Sequence, residues 1–256
     1  MITAFIYAAG RALRLGPDYA DRPKILIEFG GQTLLEWHAC QLAEVGVKRL
    51  VVITGHKREM IRSVFPTLKA RHGLKIKEAV NEHFTEGSVL SFHVSLPDIL
   101  AASPPVLLMD GDVLYPAEML RRLIASKHRT ALLLDRNFST ADDDPVLVPV
   151  RQGHPVDFKK KWQGDAELVG ESIGFFKLDG ADVPMLIEET KQRSAGERRA
   201  ESYDEVLRAL VLAGRFGYED VTGLPWTEID FPEDIEFARQ RILPSLEAFR
   251  SVRGCS

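Results

Sequence analysis

The stretch Phe5–Lys24, FIYAAGRALRLGPDYADRPK, starts as apolar residues and turns abruptly into small, cationic and turn-forming ones. Its first part predicts a buried β-strand over Ala4–Ala9. A small-residue turn directly after a strand presents converging backbone N–H groups that bind anions, and Arg11 and Arg14 add positive charge. The stretch therefore indicates a phosphate-binding loop; the structural alternative is a tight turn with solvated arginines.

Two common phosphate-binding motifs are absent from the sequence. A dinucleotide fingerprint needs G-x-G-x-x-G before a helix, a P-loop needs G-x-x-x-x-G-K-[ST], and neither string occurs. Pro23 fixes the backbone before Lys24, whose ammonium group can act as a point charge on phosphate. The phosphate interpretation therefore depends on the small-residue turn together with Lys24.

Length and composition limit the class of protein. With 256 residues, 45% hydrophobic and 27% charged, the chain can bury a full core, and we expect a single domain over residues 1–256. Its 33 basic and 37 acidic residues are spread along the chain and give a net charge of -4. Without a basic stripe that could follow a phosphate backbone, we expect no nucleic-acid partner.

Cysteines and apolar runs point to a compartment. Cys40 and Cys255 are the two cysteines, so the sequence offers neither a disulfide framework nor a cysteine zinc site. There is no signal-peptide pattern, and no apolar run approaches the roughly 18 residues of a membrane span. We expect a soluble cytoplasmic protein without a membrane partner; a homodimer is an open alternative to a monomer.

The first half alternates short apolar runs with amphipathic stretches. This pattern predicts an α/β fold of three layers, Rossmann-like, in which helices cover both faces of a mostly parallel, mixed sheet. After the first strand, the predicted strands are Arg49–Thr54, Leu74–Val80 and Val106–Met109. The predicted helices are Thr33–Gly46, which opens with a capping box of Thr33 and Glu36, Lys57–Ala70 and Ser88–Leu100.

The second half is less regular, so part of the sheet is expected to be antiparallel or to form a side ribbon. The predicted strands here are Leu132–Leu134, Val146–Val150, Val156–Phe158 and Ser172–Lys177. The predicted helices are Ala181–Lys191, Asp204–Ala213 and Glu233–Ser251, and the polar segment Lys191–Ser202 is expected to be a flexible loop.

A pair of carboxylates follows the strand of VLLMDGDVLYP. Asp110 and Asp112 come at its carboxyl end, where open α/β sheets bind ligands. Mg²⁺ prefers one or two carboxylates together with phosphate oxygens and water. The motif therefore predicts a Mg²⁺ site at this edge of the sheet.

Together these residues resemble the signature of the nucleotidyltransferase superfamily, A-A-G-x-G-x-R followed by P-K. The match covers six positions: Ala8, Ala9, Gly10, Arg14, Pro23 and Lys24. The sequence departs at Ala12, where the family has its second glycine. The resemblance implies a nucleotide-diphospho-sugar transferase-like fold and a triphosphate-binding loop formed by Ala8, Ala9, Gly10, Arg11 and Ala12. It also gives catalytic roles to Arg14 and Lys24.

Further segments carry the resemblance to the carboxyl end of the chain. WTEID, Trp226 to Asp230, resembles a segment near the end of cytidylyltransferases that act on small phosphorylated alcohols. The likeness implies that Asp112 and Asp230 hold the metal. Asp110 either contacts the nucleotide through water or only forms the turn. The structural alternative for Asp230 is an acid at a helix start.

Other positions match less specifically. Gly87 and Ser88 are base or ribose candidates by the family pattern, with a helix cap as the alternative. In the segment PVDFKKKW, the family has a lysine that meets the acceptor phosphate. Strand alternation places Lys159 and Lys160 on opposite faces, and we favour Lys159 for this contact. The commoner explanation of such a run is a set of solvated lysines. The same likeness makes Glu171 and Tyr203 acceptor contacts, and alternation adds Trp226 and Glu228 beside Asp230.

The implied reaction is attack of a phosphate monoester on the α-phosphorus of a nucleoside triphosphate with release of pyrophosphate. An aromatic and acidic site suits a cationic head, which favours CTP with a small phosphorylated or phosphonate amine over a polyol or sugar phosphate acceptor. Three other classes compete with this hypothesis: a metal-dependent glycosyltransferase, a phosphatase with Asp110 as nucleophile, in which Leu114 breaks the motif, and a non-catalytic nucleotide-binding module.

Overall fold

The first strand is apolar on both of its faces because it lies at the centre of a covered sheet. Ala4 and Ile6 pack into one hydrophobic cluster and Phe5 packs into another. The structure, a computed structural model, describes residues 1–138 and 145–252, without the side chains of 249–252. Cys255 lies outside the described residues.

The strands of this part of the chain are β1 (Thr3–Ala8), β2 (Glu28–Phe29), β3 (Gln32–Thr33), β4 (Arg49–Thr54), β5 (Lys75–Val80), β6 (Val106–Asp110), β7 (Val113–Leu114), β8 (Ala131–Asp135), β9 (Leu147–Arg151), β10 (His154–Pro155), β11 (Leu168–Leu178), β12 (Gly217–Asp220) and β13 (Thr227–Glu228).

The α-helices are α1 (Leu34–Glu44), α2 (Arg58–His72), α3 (Val89–Ala101), α4 (Ala117–Ala125), α5 (Val183–Arg193), α6 (Asp204–Leu212), α7 (Pro232–Phe237) and α8 (Leu243–Val252). A π-helical turn, Ala238–Ile242, joins α7 to α8. Short 3-10 turns cover Leu13–Leu15, Pro17–Tyr19, Lys24–Leu26 and Gly196–Ala200.

The main sheet is mixed, with parallel strands at its centre. Its order is β10-β9-β11-β6-β1-β4-β5, and β8 joins β11 to β12. β1, β4, β5 and β6 run parallel, whereas β11 is antiparallel to β6, β8 and β9. The chain crosses from β5 over β1 to reach β6, so the strand order reverses next to β1. Ligands bind outside the carboxyl ends of strands at such a switch point.

Helices cover both faces of this sheet. One hydrophobic cluster contains buried residues of α1, α2, α4, α7 and α8, and the other contains those of α3, α5 and α6. The predicted three-layer α/β fold is therefore confirmed. In the part of the chain that the structure describes, no helix is long and apolar enough to cross a membrane.

Several predicted elements differ from those observed. α4 was not predicted, and the strand expected at Val156–Phe158 is wrong: β10 lies just before it, and the Asp157 carboxylate instead accepts the Phe158 N–H at 2.8 Å. The helix expected over Glu233–Ser251 is interrupted by the π-helical turn. The segment expected to be a flexible loop forms the 3-10 turn Gly196–Ala200, whose Arg199 carbonyl accepts the N–H of Gly87 at 2.9 Å.

Candidate active site

A small ribbon brings the acidic residues of two distant segments together. β13 pairs antiparallel with β7, with Glu228 opposite Val113. The Ile229 N–H also donates to the carbonyl of Asp112 at 2.9 Å. This pairing places Glu228 and Asp230 beside Asp112, although more than a hundred residues separate them in sequence.

The start of α7 fixes the backbone of Asp230. The Asp234 carboxylate accepts the N–H of Asp230 at 2.8 Å and that of Phe231 at 2.7 Å. A carboxylate that accepts the first N–H groups of a helix stabilises that end. Asp230 therefore precedes a capped helix and is also a member of the acidic cluster. Its position agrees with both interpretations.

Two cations from the opening stretch bind these acids. The Lys24 ammonium donates to Asp112 Oδ2 at 2.8 Å and to Asp230 Oδ1. Arg14 donates to Asp230 Oδ2 at 2.5 Å and lies over the Phe231 ring, 5.1 Å from its centroid. The structure thus joins the predicted phosphate-binding residues to the predicted metal ligands.

The acids form a cluster that suits a divalent cation. Asp112, Glu228 and Asp230 each offer a carboxylate oxygen, and these atoms lie within 4.8 Å of one another. Asp112 Oδ1 is buried and has no hydrogen-bond partner among the described residues. A buried oxygen without a partner next to two further carboxylates fits a hard, oxygen-preferring ion such as Mg²⁺.

Charge and burial oppose each other in this cluster. Burial would lower the pKa of Lys24, but Asp112 and Asp230 raise it overall, so the ammonium stays protonated. Burial would raise the pKa of Asp230, but Lys24 and Arg14 lower it. The side chain of Glu228 is exposed, but it lies among protein atoms that displace water from its carboxyl group. This desolvation, followed by the charges of Asp112 and Asp230, raises the pKa of Glu228 well above its usual value.

Two cavities meet at these charges. The larger, about 470 Å³, is lined by Tyr7, Ala8, Gly10, Arg11, Ala12, Leu13, Arg14, Lys24, Ile25, Phe84, Thr85, Gly111, Asp112 and Asp230. The smaller, about 140 Å³, is lined by Arg14, Asp110, Pro145, Val146, Phe158, Lys160, Glu171, Ser172, Ile173, Gly174, Phe176, Tyr203, Asp204, Glu228 and Asp230. Arg14 and Asp230 belong to both walls, so the two cavities share a charged boundary.

The turn after β1 forms one wall of the larger cavity. Ala8, Gly10, Arg11 and Ala12 line it, whereas Ala9 is buried beneath and its carbonyl accepts the His56 N–H at 3.0 Å. Ala12 has a left-handed backbone, with φ 54° and ψ 36°. Glycine adopts this conformation without steric cost, which explains the glycine of the family signature at this position.

The opposite wall contains residues that the sequence did not single out. Phe84 and Thr85 line the larger cavity. Gly87 and Ser88 are not among its lining residues: Gly87 packs against the backbone of residues 199–201, and Ser88 Oγ accepts the Tyr203 N–H at 3.0 Å. The structure therefore gives this predicted base-binding pair a packing position.

Asp110 and Tyr203 line the smaller cavity together. The Tyr203 hydroxyl donates to Asp110, and its ring stacks on Phe92 with centroids 4.7 Å apart. Burial, followed by the charge of Asp112, raises the pKa of Asp110 well above its usual value. Asp110, predicted at the nucleotide, is thus placed on the other side of the boundary, in the smaller cavity.

Glu171 lies on the wall of the smaller cavity next to a second acid. Burial and the charge of Asp135 raise the pKa of Glu171 to about 7. Asp135 is itself buried and accepts the Trp226 indole N–H at 2.7 Å. Trp226 was predicted to share the cleft with Glu228 and Asp230, but its indole bonds Asp135 and the residue lines neither cavity.

The lysine of the smaller cavity is Lys160. Lys159, the favoured candidate, pairs with Asp157 at 3.2 Å and its backbone bridges to Leu147. This bridge places the Lys159 backbone beside Leu147, while Lys160 lines the cavity. The preference for Lys159 rested on alternation along a strand, and the structure has no strand over residues 156–158.

Asp204 also lines the smaller cavity, and it belongs to the segment whose family likeness made Tyr203 an acceptor contact. It begins α6 and accepts the Ser202 hydroxyl at 2.8 Å. The lysine run carried the sequence signal for Lys160, and the family-like segment at Tyr203 carried that for Asp204. Phe84 lies three residues before Gly87 in an irregular segment between β5 and α3, where no periodicity indicates the direction of a side chain.

A family model and curated proteins match this chain along most of its length. The family model described as MobA-like NTP transferase domain matches residues 4–254. A curated relative from Streptomyces rubellomurinus, CMP-5'-(3-aminopropyl)phosphonate synthase, is 30% identical over 99% of this chain and 41% of its own length. The bifunctional IPC transferase and DIPP synthase of Rubrobacter xylanophilus is 27% identical over 94% of this chain and 52% of its own. The chain thus spans about half the length of these relatives, or less.

Solved structures share the fold. The inositol-1-phosphate CTP transferase from T. maritima superposes with a TM-score of 0.76 at 21% identity, covering 97% of this chain and 96% of that one. The CTP:phosphocholine cytidylyltransferase from Streptococcus pneumoniae has a TM-score of 0.70 at 18% identity, covering 93% and 98%. At these identities the likeness shows the fold alone.

Proposed function

Since the chain belongs to the family of MobA-like NTP transferase domains and is a nucleotidyltransferase, we propose that it transfers CMP from CTP to a small phosphorylated or phosphonate amine and releases pyrophosphate. The observation that carries the proposal is the boundary between the two cavities, where Arg14 and Asp230 face both sides. A transferase needs two substrate sites that meet at the reacting atom. The family match favours this reaction over the glycosyltransferase, phosphatase and binding-module alternatives.

The reaction needs positioned charge and no general base. A phosphate monoester is largely a dianion near neutral pH, since its second pKa is roughly 6. The protein must offset repulsion between two anions, align them, and stabilise charge on the departing pyrophosphate. Arg14 and Lys24 supply positive charge at the triphosphate, and Lys160 supplies it on the acceptor side. Among the described residues, no histidine or cysteine lines either cavity, which fits this chemistry.

We propose that Asp112 and Asp230, with Glu228 beside them, hold Mg²⁺. The carboxylate spacing and the partnerless Asp112 Oδ1 support this assignment. When bound, the ion would neutralise phosphate charge and orient the α-phosphate. The turn after β1 would bind the triphosphate through backbone N–H groups, and Phe84 and Thr85 would contact the base or ribose.

The amine part of the proposal follows from the charge of the smaller cavity. Five carboxyl groups line it, those of Asp110, Glu171, Asp204, Glu228 and Asp230, against the cations Arg14 and Lys160. A phosphate or phosphonate group held by the cations would leave carboxylates around the far end of the acceptor. Carboxylates there would bind an ammonium group, and the relative named as an aminopropylphosphonate synthase supports this choice. Polyol hydroxyl groups can also donate to carboxylates, which makes a polyol phosphate the second candidate.

The metal assignment predicts the effect of Asp112→Asn. The amide keeps the shape of the side chain but loses the negative charge, so we expect CTP-dependent pyrophosphate release to fall at least about 100-fold, the scale for removing a preorganised electrostatic contact. Asp98→Asn is the control, since Asp98 pairs with Lys77 away from both cavity walls. Activity of Asp112→Asn within threefold of wild type, at ordinary Mg²⁺, would contradict the metal role.

The acceptor is tested by a substrate panel. Pyrophosphate release is measured with four nucleoside triphosphates against 2-aminoethylphosphonate, 3-aminopropylphosphonate, phosphoethanolamine and phosphocholine, beside inositol, glycerol and hexose phosphates. We expect CTP and the amines to give the highest kcat/KM. Turnover confined to the neutral acceptors would refute the amine proposal and leave the nucleotidyltransferase standing.

A further inference from the structure

The acidic cluster already holds two cations from the chain itself. Of the four carboxylate oxygens on Asp112 and Asp230, Lys24 bonds one on each residue and Arg14 bonds the second oxygen of Asp230. The fourth, Asp112 Oδ1, has no partner within residues 1–138 and 145–252. Lys24 and Arg14 therefore bond three of the four carboxylate oxygens on Asp112 and Asp230.

Lys24 and a divalent ion would compete for these oxygens. The side chains of Lys24, Asp112 and Asp230 are only 17%, 23% and 15% exposed, so water screens their charges weakly. Mg²⁺ sits about 2.0–2.1 Å from its oxygen ligands, closer than a hydrogen-bonded ammonium group. Because the Lys24 ammonium bridges one oxygen of each carboxylate, its positive charge opposes a divalent ion that binds the same two carboxylates.

The backbone of Lys24 is held in place, whereas its side chain can change direction. Its backbone belongs to a 3-10 turn in which Ile25 and Leu26 are buried, and the Ile27 N–H donates to the Lys24 carbonyl at 3.0 Å. The Lys24 side chain also lines the larger cavity. The ammonium group can therefore leave the carboxylates for an anion in that cavity while the main chain stays in place.

We propose that Lys24 is a resident cation that occupies the metal position until a nucleoside triphosphate arrives. This inference rests on the proposed function, because the triphosphate supplies the oxygens to which the ammonium moves. The exchange balances charge: Lys24 gives up two carboxylates as the divalent ion enters, and phosphate oxygens take the ammonium. Free protein would bind metal weakly, and metal and nucleotide would bind together.

Metal binding without nucleotide tests this inference. Mn²⁺ is titrated into wild type, Lys24→Met and Lys24→Gln, and free Mn²⁺ is read by electron paramagnetic resonance. Removing the resident cation is expected to tighten Mn²⁺ binding at least tenfold. Lys77→Met is the matched control, since it removes an ion pair of 2.6 Å with Asp98 outside both cavities and should bind as wild type does. Equal or weaker Mn²⁺ binding in the folded Lys24 variants would overturn the proposal.

Wild-type crystals provide a test that needs no variant. With Mn²⁺ alone, no anomalous peak is expected between Asp112 and Asp230; with Mn²⁺ and a non-hydrolysable CTP analogue, the peak appears and Lys24 turns to the phosphates. A peak with Mn²⁺ alone beside an unmoved Lys24 would overturn the inference. If the analogue does not bind, the proposed function fails, and the Mn²⁺ titration still decides the role of Lys24.

Discussion

Ala12 is the residue at which the opening stretch departs from the nucleotidyltransferase signature, and the backbone explains how the departure is tolerated. With φ 54° and ψ 36°, Ala12 occupies the left-handed region. This conformation costs an L-residue roughly 1–2 kcal/mol. The loop therefore keeps the conformation that glycine favours and accepts a small strain.

Replacing Ala12 by glycine is expected to leave stability and activity nearly unchanged. Glycine relieves the left-handed strain but adds freedom to the unfolded chain, worth about 0.5–1 kcal/mol. We expect a free energy of unfolding in urea within about 1 kcal/mol of wild type, and kcat/KM within about threefold. Ala20→Gly is the control: Ala20 has φ -59° and gains no relief, so it should only lose stability. A large loss of activity in Ala12→Gly would show that the loop has its own geometry.

Residues in sequence motifs could be predicted, and those set by loop geometry could not. Lys24 and Asp112 follow from short patterns tied to strand ends, and the structure brings them into contact. Phe84 and Lys160 face the cavities because of irregular segments whose direction no periodicity records. The catalytic and binding roles of all the site residues stay predictions. The single domain, the cytoplasmic location and a homodimer also stay predictions.

At the scale of elements, the register of β11 is irregular beside Asp110, the last residue of β6. The register of β11 against β8 shifts between Ser172 and Phe176, and Gly174 within this shift has φ +75°. A Cβ atom at Gly174 would lie 2.2 Å from Asp110 Oδ2. This register shift has no simple sequence signature.

Gly174→Ala is therefore expected to destabilise the protein by about 2–4 kcal/mol, since backbone strain and a clash with Asp110 add together. The matched control is Gly153→Ala in the turn between β9 and β10. Gly153 has φ +72°, and a Cβ there meets nothing within 4 Å, so it carries the strain alone, about 1–2 kcal/mol. Urea unfolding of both variants measures the difference, and equal losses would rule out the clash.

The parallel strands at the centre of the sheet were predictable, and the two-residue strands were not. β1, β4 and β6 are largely apolar runs, β5 alternates charged and apolar residues at its start, and the predicted bounds of all four lie within one residue of those observed. β7 and β13 have two residues each and are strands only because they pair with each other. Such pairing depends on long-range contacts, which a local pattern does not contain.

At the scale of the whole molecule, the ionisation of His38 and that of Glu171 make the free energy of unfolding depend on pH in opposite directions. Burial lowers the pKa of His38 to about 4, so its contribution is present above pH 6.5 and is lost as the pH falls towards 4. Burial and Asp135 raise the pKa of Glu171 to about 7, so its contribution is present below pH 4.5 and is lost as the pH rises to 7. Between pH 4.5 and 6.5 the two effects partly cancel.

Glu171→Gln is expected to make acid destabilisation steeper. Without the carboxyl group of Glu171, less of the His38 effect, up to about 3 kcal/mol, is offset as the pH falls. The Glu171 effect is smaller, roughly 1–2 kcal/mol, since the side chain is partly exposed. Urea unfolding at pH 4.5, 5.5 and 6.5 measures the slope.

Two further variants check the sign of this prediction. His38→Gln should leave only the opposite slope, with stability falling as the pH rises. The exposed Glu167→Gln should follow wild type. A Glu171→Gln slope that equals the wild-type slope would show that Glu171 ionises freely in the folded protein.

The ribbon of β7 and β13 also sets the order in which the site comes into being during synthesis. A ribosome adds Lys24 and Asp112 first, and it adds Glu228 and Asp230 more than a hundred residues after Asp112. A growing chain can bury β1 and β6 side by side while the acid and the ammonium still lack their third partner. The acidic cluster is thus a late product of translation, assembled when the closing strand pairs with one made long before it.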